Sequence, residues 1–317
     1  MISGDGLTTN QLLEAIKRRA FLPNAQNTLK DEDLIRFINE ELYDSIVPMI
    51  MQVKEEYFTY STDLLLQPNQ SNYAIPYRAI GQKVRDIKYK DTEGNLYTCT
   101  RIEVEDRHYF QGASQNRYKC FFLQGNDIVL WPGVGSTPNG YLSLVYYLRP
   151  NSIVKESQVG VITAINTSTG VITLSAIPEN FTISNGIDFV QARSGHRTIK
   201  FDVPVLGVDT VNKTITVAPT DIPSTLIVND HLAVAGQTKV LQIPSELNSI
   251  LVERVVARCM ASLGDQEGLA ASVAKVSEME NKANSMIDDR SEGNPKKINN
   301  LNSIIRASKI TRRRFFY

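Results

Sequence analysis

The spacing of apolar residues changes twice along this chain, and that constrains its fold more than any other feature. From Thr8 to about Glu56 the spacing is helical. Leu12, Leu13, Ile16 and Ala20 share one face, with Thr8 and Gln11 placed for a capping box. The acidic turn Asp31, Glu32, Asp33 opens a second stripe of Leu34 or Ile35, Ile38, Leu42 and Ile46, continuing through Met49, Ile50 and Val53. Pro48 lies inside that stripe and predicts a kink or a restart, because proline has no amide donor. Helical spacing returns at Ile243. Pro244 precedes Leu247, Ile250, Leu251, Val255 and Cys259, and this helix ends near Gly264. Asp265 is placed to cap a last helix bearing Leu269, Val273, Val276, Met279 or Ala283, and Ile287, which Glu292-Gly293-Asn294-Pro295 stops.

Between these ends, residues 57–242 form short runs rich in Val, Ile, Thr, Tyr and Phe. Turn signals such as Glu93-Gly94-Asn95 and Gln124-Gly125-Asn126-Asp127 break them up, a β texture. Two stretches resemble each other at an offset of about 44 residues, 161–190 and 205–234. Each reads as strand, polar turn (Asn166 to Gly170; Asp209 to Lys213), strand, an Ile-Pro step and another strand. Two copies are too few for a solenoid, so each is expected to cover the other's apolar face in one closed or sandwiched unit. The expected fold is α+β: helices over 1–56 and 243–290 meet as a bundle, the β region over 57–242 is inserted between them, and 291–317 forms an extended arm.

Catalytic chemistry has little to stand on. His108, His196 and His231 lie on separate β segments, and none has the spacing of paired metal ligands. Asp106 and His108 would share a face in a strand, but no nucleophile is visible beside them. Gly133 and Gly135 lack the following helix and lysine of a phosphate loop. Asp31 with Asp33, and Asp288 with Asp289, are explained by capping and solvation at helix ends. Cys99, Cys120 and Cys259 are odd in number and widely spaced, as free buried thiols would be. No cofactor, metal or catalytic residue is expected, and the chain is read as a non-enzyme. The start MISGDGLTTNQ lacks a signal-peptide pattern, and nowhere do the ~18 consecutive apolar residues of a spanning helix occur. Neither export nor a membrane partner is expected.

Thirty-four basic and thirty-four acidic side chains cancel, which argues against a surface that grips nucleic acid as a whole. The balance hides an asymmetry. Lys296, Lys297, Arg306, Lys309, Arg312, Arg313 and Arg314 crowd into 296–317 without one acid, so 1–295 holds twenty-seven basic against thirty-four acidic side chains, −7. The same segment carries Ile304 and Ile305 and ends in Phe315, Phe316 and Tyr317. A solvated tail avoids large apolar side chains, whereas a segment that orders on a partner keeps a few as anchors and uses charge for steering. These twelve residues mark 296–317 as a docking arm, whose 22 residues could span on the order of 70 Å at ~3.3 Å per residue if extended. Two Arg and a His also gather at Arg193-Ser194-Gly195-His196-Arg197, which resembles a hairpin tip.

The stretch LLEAIKRRAFLPNAQNTLKDEDLIRFINEELYDSIVPMI followed by EEYF, with IPYRAIG, YYLRPN and GLAASVAKVSEMENKA further on, resembles the head-tail connector or adaptor proteins of podovirus-type and crAss-like tailed bacteriophages. That resemblance implies a structural subunit of the virion, made in the host cytoplasm and placed at the head-tail junction. It implies a homo-oligomeric ring of roughly twelve copies beneath the portal protein. Other tail or ring proteins would be neighbours, and the genome would pass through without sequence-specific binding. The arm would contact the portal. Two alternatives stand beside it: a nucleic-acid-binding protein using the tail and Lys17-Arg18-Arg19, which would show steep salt dependence, and another tail ring or decoration protein.

Overall fold

A computed structural model describes residues 7–21, 29–110, 120–136, 138–179, 181–193 and 195–286. The helices are α1 (Thr9–Arg19), α2 (Asp31–Glu41), α3 (Val47–Val53), α4 (Asn248–Leu263) and α5 (Gln266–Met286). The capping box at α1 is formed: Thr8 Oγ1 accepts from Gln11 N, and Thr8 N donates to Gln11 Oε1 at 3.0 Å. Helices α2 and α3 are one continuous rod joined by a π-helical turn, Leu42–Ile46, so the chain neither ends nor restarts at Pro48. The turn absorbs the proline. Val47 N–H reaches back to Leu42 O, and this local widening accommodates the ring that an ordinary α-turn would drive into a carbonyl.

The helices of the two chain ends share one core. Leu12 and Ile16 of α1, Leu34, Ile38, Leu42, Ile46 and Ile50 of the long rod, and Ile250, Leu251, Val255 and Cys259 of α4 are at most 1% exposed and form a single cluster. Gly264 ends α4 in the left-handed conformation (φ 75°), and Asp265 Oδ1 then accepts from Gly268 N at 2.9 Å. The α5 helix is only half committed: Val276 and Ala283 are buried, while Val273 is 53% exposed.

The strands are β1 (Thr59–Leu65), β2 (Asn72–Ala74), β3 (Ala79–Lys90), β4 (Leu96–Thr98), β5 (Thr100–Arg101), β6 (Cys120–Gln124), β7 (Asp127–Trp131) and β8 (Tyr141–Leu148), then β9 (Ser152–Ile153), β10 (Val159–Asn166), β11 (Val171–Leu174), β12 (Ile187–Val190), β13 (Thr198–Val203), β14 (Val205–Asp209), β15 (Thr214–Val217), β16 (His231–Val234) and β17 (Gln237–Thr238). They separate into two modules. In the first, a sheet β1-β8-β3-β4 faces a sheet β2-β7-β6-β5 across Ile87, Tyr89, Leu142, Leu144 and Tyr146 on one side and Tyr73, Ile128 and Leu130 on the other. Gly94 (φ 90°) turns β3 into β4, and Gly125 (φ 60°) turns β6 into β7 with Gln124 opposite Asp127.

The second module contains both repeat copies in one sheet, β13-β12-β16-β10-β11-β15-β14. The outermost strands, β13 and β14, are consecutive in the chain and separated only by Pro204, so the two sheet edges meet there and the sheet curls into a barrel. A pseudo-two-fold relates the copies. Ile172 pairs with Ile215 between β11 and β15, and Phe189 pairs with Leu232 between β12 and β16. Each pair joins residues that correspond between copies, and the flanking pairs, Val171 with Thr216 and Thr173 with Thr214, are mirrored about it. The polar turns also correspond: Asn166 Oδ1 accepts from Ser168 and Thr169 N, and Asp209 Oδ1 from Val211 and Asn212 N. Each copy covers the other's apolar face, with Ile162, Ile172, Leu174 and Phe189 packed against Val205, Ile215, Val217 and Leu232. Gly170 must be glycine: φ is 75°, and a Cβ would lie 2.0 Å from Val217 O.

The links between β modules and bundle run side by side. β9 and β17 pair in parallel, and Thr9 at the start of α1 donates N to Lys239 O at 2.8 Å and Oγ1 to Val154 O at 2.6 Å.

Candidate interaction surfaces

Among the described residues, no group of three or more His, Cys, Asp and Glu side chains is arranged to hold a metal ion. Asp106 and His108 lie in a short 3-10 turn, Val104–Phe110, instead of a strand, so the two-residue spacing does not set their side chains on one face. His196 is buried at 5% exposure inside the loop joining β12 and β13 and is not presented at its tip. His231 lies on β16 with Nδ1 buried and lacking a hydrogen-bond partner; burial, reinforced by Lys239 and His196, pushes its pKa down to about 3. All three cysteines are buried and none forms a disulfide, and burial pushes the thiols of Cys99 and Cys259 up to about 11. WPGVGSTPNG runs from β7 toward β8 with no helix behind it.

The bundle uses its charges internally. Glu41, 6% exposed, accepts from Arg254 and Arg258, and Glu253, 4% exposed, accepts from Arg19 and from Lys275 at 2.8 Å. This consumes the basic run of α1. Lys17 pairs with Asp31 at 2.6 Å, Arg18 with Glu14 and Arg19 with Glu253, so none of the three is a spare cation. The docking-arm residues Lys296, Lys297, Ile304, Ile305, Arg306, Lys309, Arg312, Arg313, Arg314, Phe315, Phe316 and Tyr317 lie outside the described residues.

A built surface lies where the first β module, the barrel and the link before α4 converge. Asp188 of β12, fully buried, accepts from both Arg78 nitrogens at 3.2 and 2.7 Å, from Asn151 Nδ2 at 2.8 Å, and from the backbone N–H of Asp202 and Gly236, each at 3.0 Å. Gln242 clamps the same junction. Its Nε2 donates to His196 O and Thr198 Oγ1, each at 3.0 Å, and its Oε1 accepts from Asn151 N at 2.9 Å. Beside this clamp opens a cleft of about 270 Å³ walled by Tyr57, Phe58, Tyr60, Leu148 and Pro150, with Arg149 and Arg197 at its lining. Arg197 belongs to the loop singled out in the sequence. Nothing in the sequence distinguishes Arg149 from any other arginine at the end of a strand.

Comparison with protein families decides the class. The model of the SU10 adaptor protein family matches residues 7–182, more than half of the chain. The chain belongs to the SU10 adaptor protein family. It is therefore a bacteriophage adaptor, a structural component of the virion, as the resemblance of its opening helices implied. The SU10 adaptor match covers α1 to α3, the whole first β module and the opening hairpin of the barrel; the second repeat copy, α4 and α5 fall outside it. No curated protein matches the chain. No helix among the described residues of this SU10 adaptor is long and apolar enough to cross a membrane.

Proposed function

We propose that this adaptor assembles as a ring of roughly twelve copies beneath the portal of a tailed phage, lines part of the genome conduit, and docks on the portal through residues 296–317. The observation that carries this reading is the adaptor-family match over 7–182. Charge distribution supports it. A body of net −7 repels a DNA backbone and suits a conduit, whereas seven cations and three terminal aromatics in one acid-free segment suit capture by an acidic groove. Repeated around a ring, weak individual arms sum to a strong joint through effective concentration.

Mass photometry and electron microscopy of the full chain, alone and mixed with the portal of the same phage, test the proposal alongside a chain truncated after Pro295. A portal-dependent ring that the truncation abolishes is the expected result. Portal association that survives the truncation would remove the arm from the reading. Steeply salt-dependent DNA binding that disappears with the tail would favour a nucleic-acid role instead; Lys17, Arg18 and Arg19 would add little to it, because each is paired with a carboxylate.

A further inference from the structure

We propose that the cleft lined by Arg149 and Arg197 is a second docking site, which receives a short acidic segment of another protein, one whose carboxylate stands next to an aromatic or aliphatic side chain. None of its lining residues belongs to 296–317.

Charge is the first reason. Most cations of the described body are neutralised: Arg78, Arg85, Arg254 and Arg258 all have carboxylate partners, as does the basic run of α1. Arg149 and Arg197 line one cleft, both are exposed, and neither side chain has a hydrogen bond or ion pair among the described residues. Two arginines without a side-chain partner, lining one concavity in a body of net −7, give that cleft a local positive charge.

The walls are the second reason. Tyr57, Phe58, Tyr60, Leu148 and Pro150 give the cleft an apolar side, and about 270 Å³ holds one large side chain with its neighbours. A bare phosphate would leave that wall unused. A carboxylate flanked by an aromatic or aliphatic side chain uses both parts, the arginines for register and the wall for burial.

The cleft is also preformed. Arg149 N donates to Arg78 O at 2.8 Å, and Arg78 is itself held by the buried Asp188, so the strand end carrying Arg149 is anchored from behind. Gln242 ties the loop bearing Arg197 to the same link through His196 O and Thr198 Oγ1. A site whose backbone is fixed before binding loses less entropy when it is filled. Residues 296–317, with seven cations and no acid, are a poor match in charge for two more arginines, whereas an acidic segment of another protein is complementary.

The test is fluorescence anisotropy on the full chain with a fluorescein-labelled octapeptide carrying two Glu around a Phe in a Gly-Ser background. The probe should bind, and its Gln-for-Glu counterpart should bind at least about tenfold more weakly. Arg149→Ala and Arg197→Ala should each weaken binding, and the double variant should weaken it by at least about tenfold without shifting the thermal midpoint, because both side chains are exposed. Failure of the Glu probe to bind, or equal binding by the double variant, overturns the proposal. So does arginine-dependent binding of a dT oligonucleotide in its place, or self-association that the double variant abolishes, which would make the occupant a nucleic acid or a second copy. Loss of portal docking by 296–317 would leave these expectations unchanged.

Discussion

The side-chain amide of Asn39 pairs with the backbone of Ile153 in both directions: Nδ2 donates to Ile153 O at 2.9 Å, and Ile153 N donates to Oδ1 at 2.7 Å. Asn39 stands on the long N-terminal rod, and Ile153 belongs to the link that leads from the first β module into the barrel. The amide imitates the edge of a neighbouring strand. Tyr43, one turn on, continues the seam by donating to Pro150 O at 3.0 Å. A helix is thereby fastened to the open edge of β9, where the backbone groups of Ile153 face away from β17 and would otherwise lack partners.

Replacing this amide measures the fastening. Asn39→Leu removes two hydrogen bonds and strands the Ile153 backbone groups, at an expected cost of about 2 kcal/mol. Urea unfolding should show a lower midpoint with an unchanged slope.

The buried ion pair between Arg78 and Asp188 joins the two β modules, and cutting one side leaves a charge without its partner. Arg78→Met should destabilise by about 3–5 kcal/mol, whereas Arg78→Met combined with Asp188→Leu should recover part of that loss. The coupling energy of the double-mutant cycle is the measurement. A value near zero would show that the pair contributes nothing at the module junction.

The barrel's pseudo-symmetry has an energetic consequence. Ile172 and Ile215 face each other across the axis and are both fully buried, so truncation of either leaves a similar void. Ile172→Ala and Ile215→Ala should each cost about 2–5 kcal/mol and agree with each other within about 1 kcal/mol. Chemical denaturation of the two variants compares them directly.

His231 predicts acid sensitivity. Its pKa in the folded chain is held near 3 by burial, against an ordinary value of 6.5 once unfolded, so the unfolded chain binds a proton that the folded chain refuses. Stability from this group is fully present above pH 6.5 and is lost as pH falls from 6.5 towards 3, by up to about 2 kcal/mol between pH 7 and pH 5. His231→Gln should flatten that part of the stability profile. An unchanged slope in the variant would show that other groups carry it.

Much of this architecture is written locally. The buried stripe of α1, the capping box at Thr8, the stop at Gly264 and the glycine turns after β3 and β6 depend on neighbours a few residues away, so periodicity and turn chemistry are enough to expect them. The repeat was legible for the same reason, since two copies with matching strands and Asx turns must hide their apolar faces against something. Pro48 marks the limit. Its presence demanded an irregularity, and whether the helix would break or widen depended on the core that holds Leu42, Ile46 and Ile50 in line on both sides of it.

What tertiary structure alone decided are relationships between distant segments. The pairing of Asn39 with Ile153, the burial of Asp188 under Arg78 and Asn151, and the presence of Arg149 and Arg197 at one cleft join residues far apart in the chain, and each side chain is of an ordinary surface type when read in isolation. Periodicity reports which face of an element is apolar and is silent about which polar residue another element will bring to it. The sequence by itself therefore determined most of the elements, the duplicated unit and the charge asymmetry of the C-terminal segment, because each of these is a local property of the chain. The curling of the sheet that brings its two edges together at Pro204, the junction of the modules and the cleft had to wait for packing, because long-range geometry alone sets which unpaired groups end up facing one another.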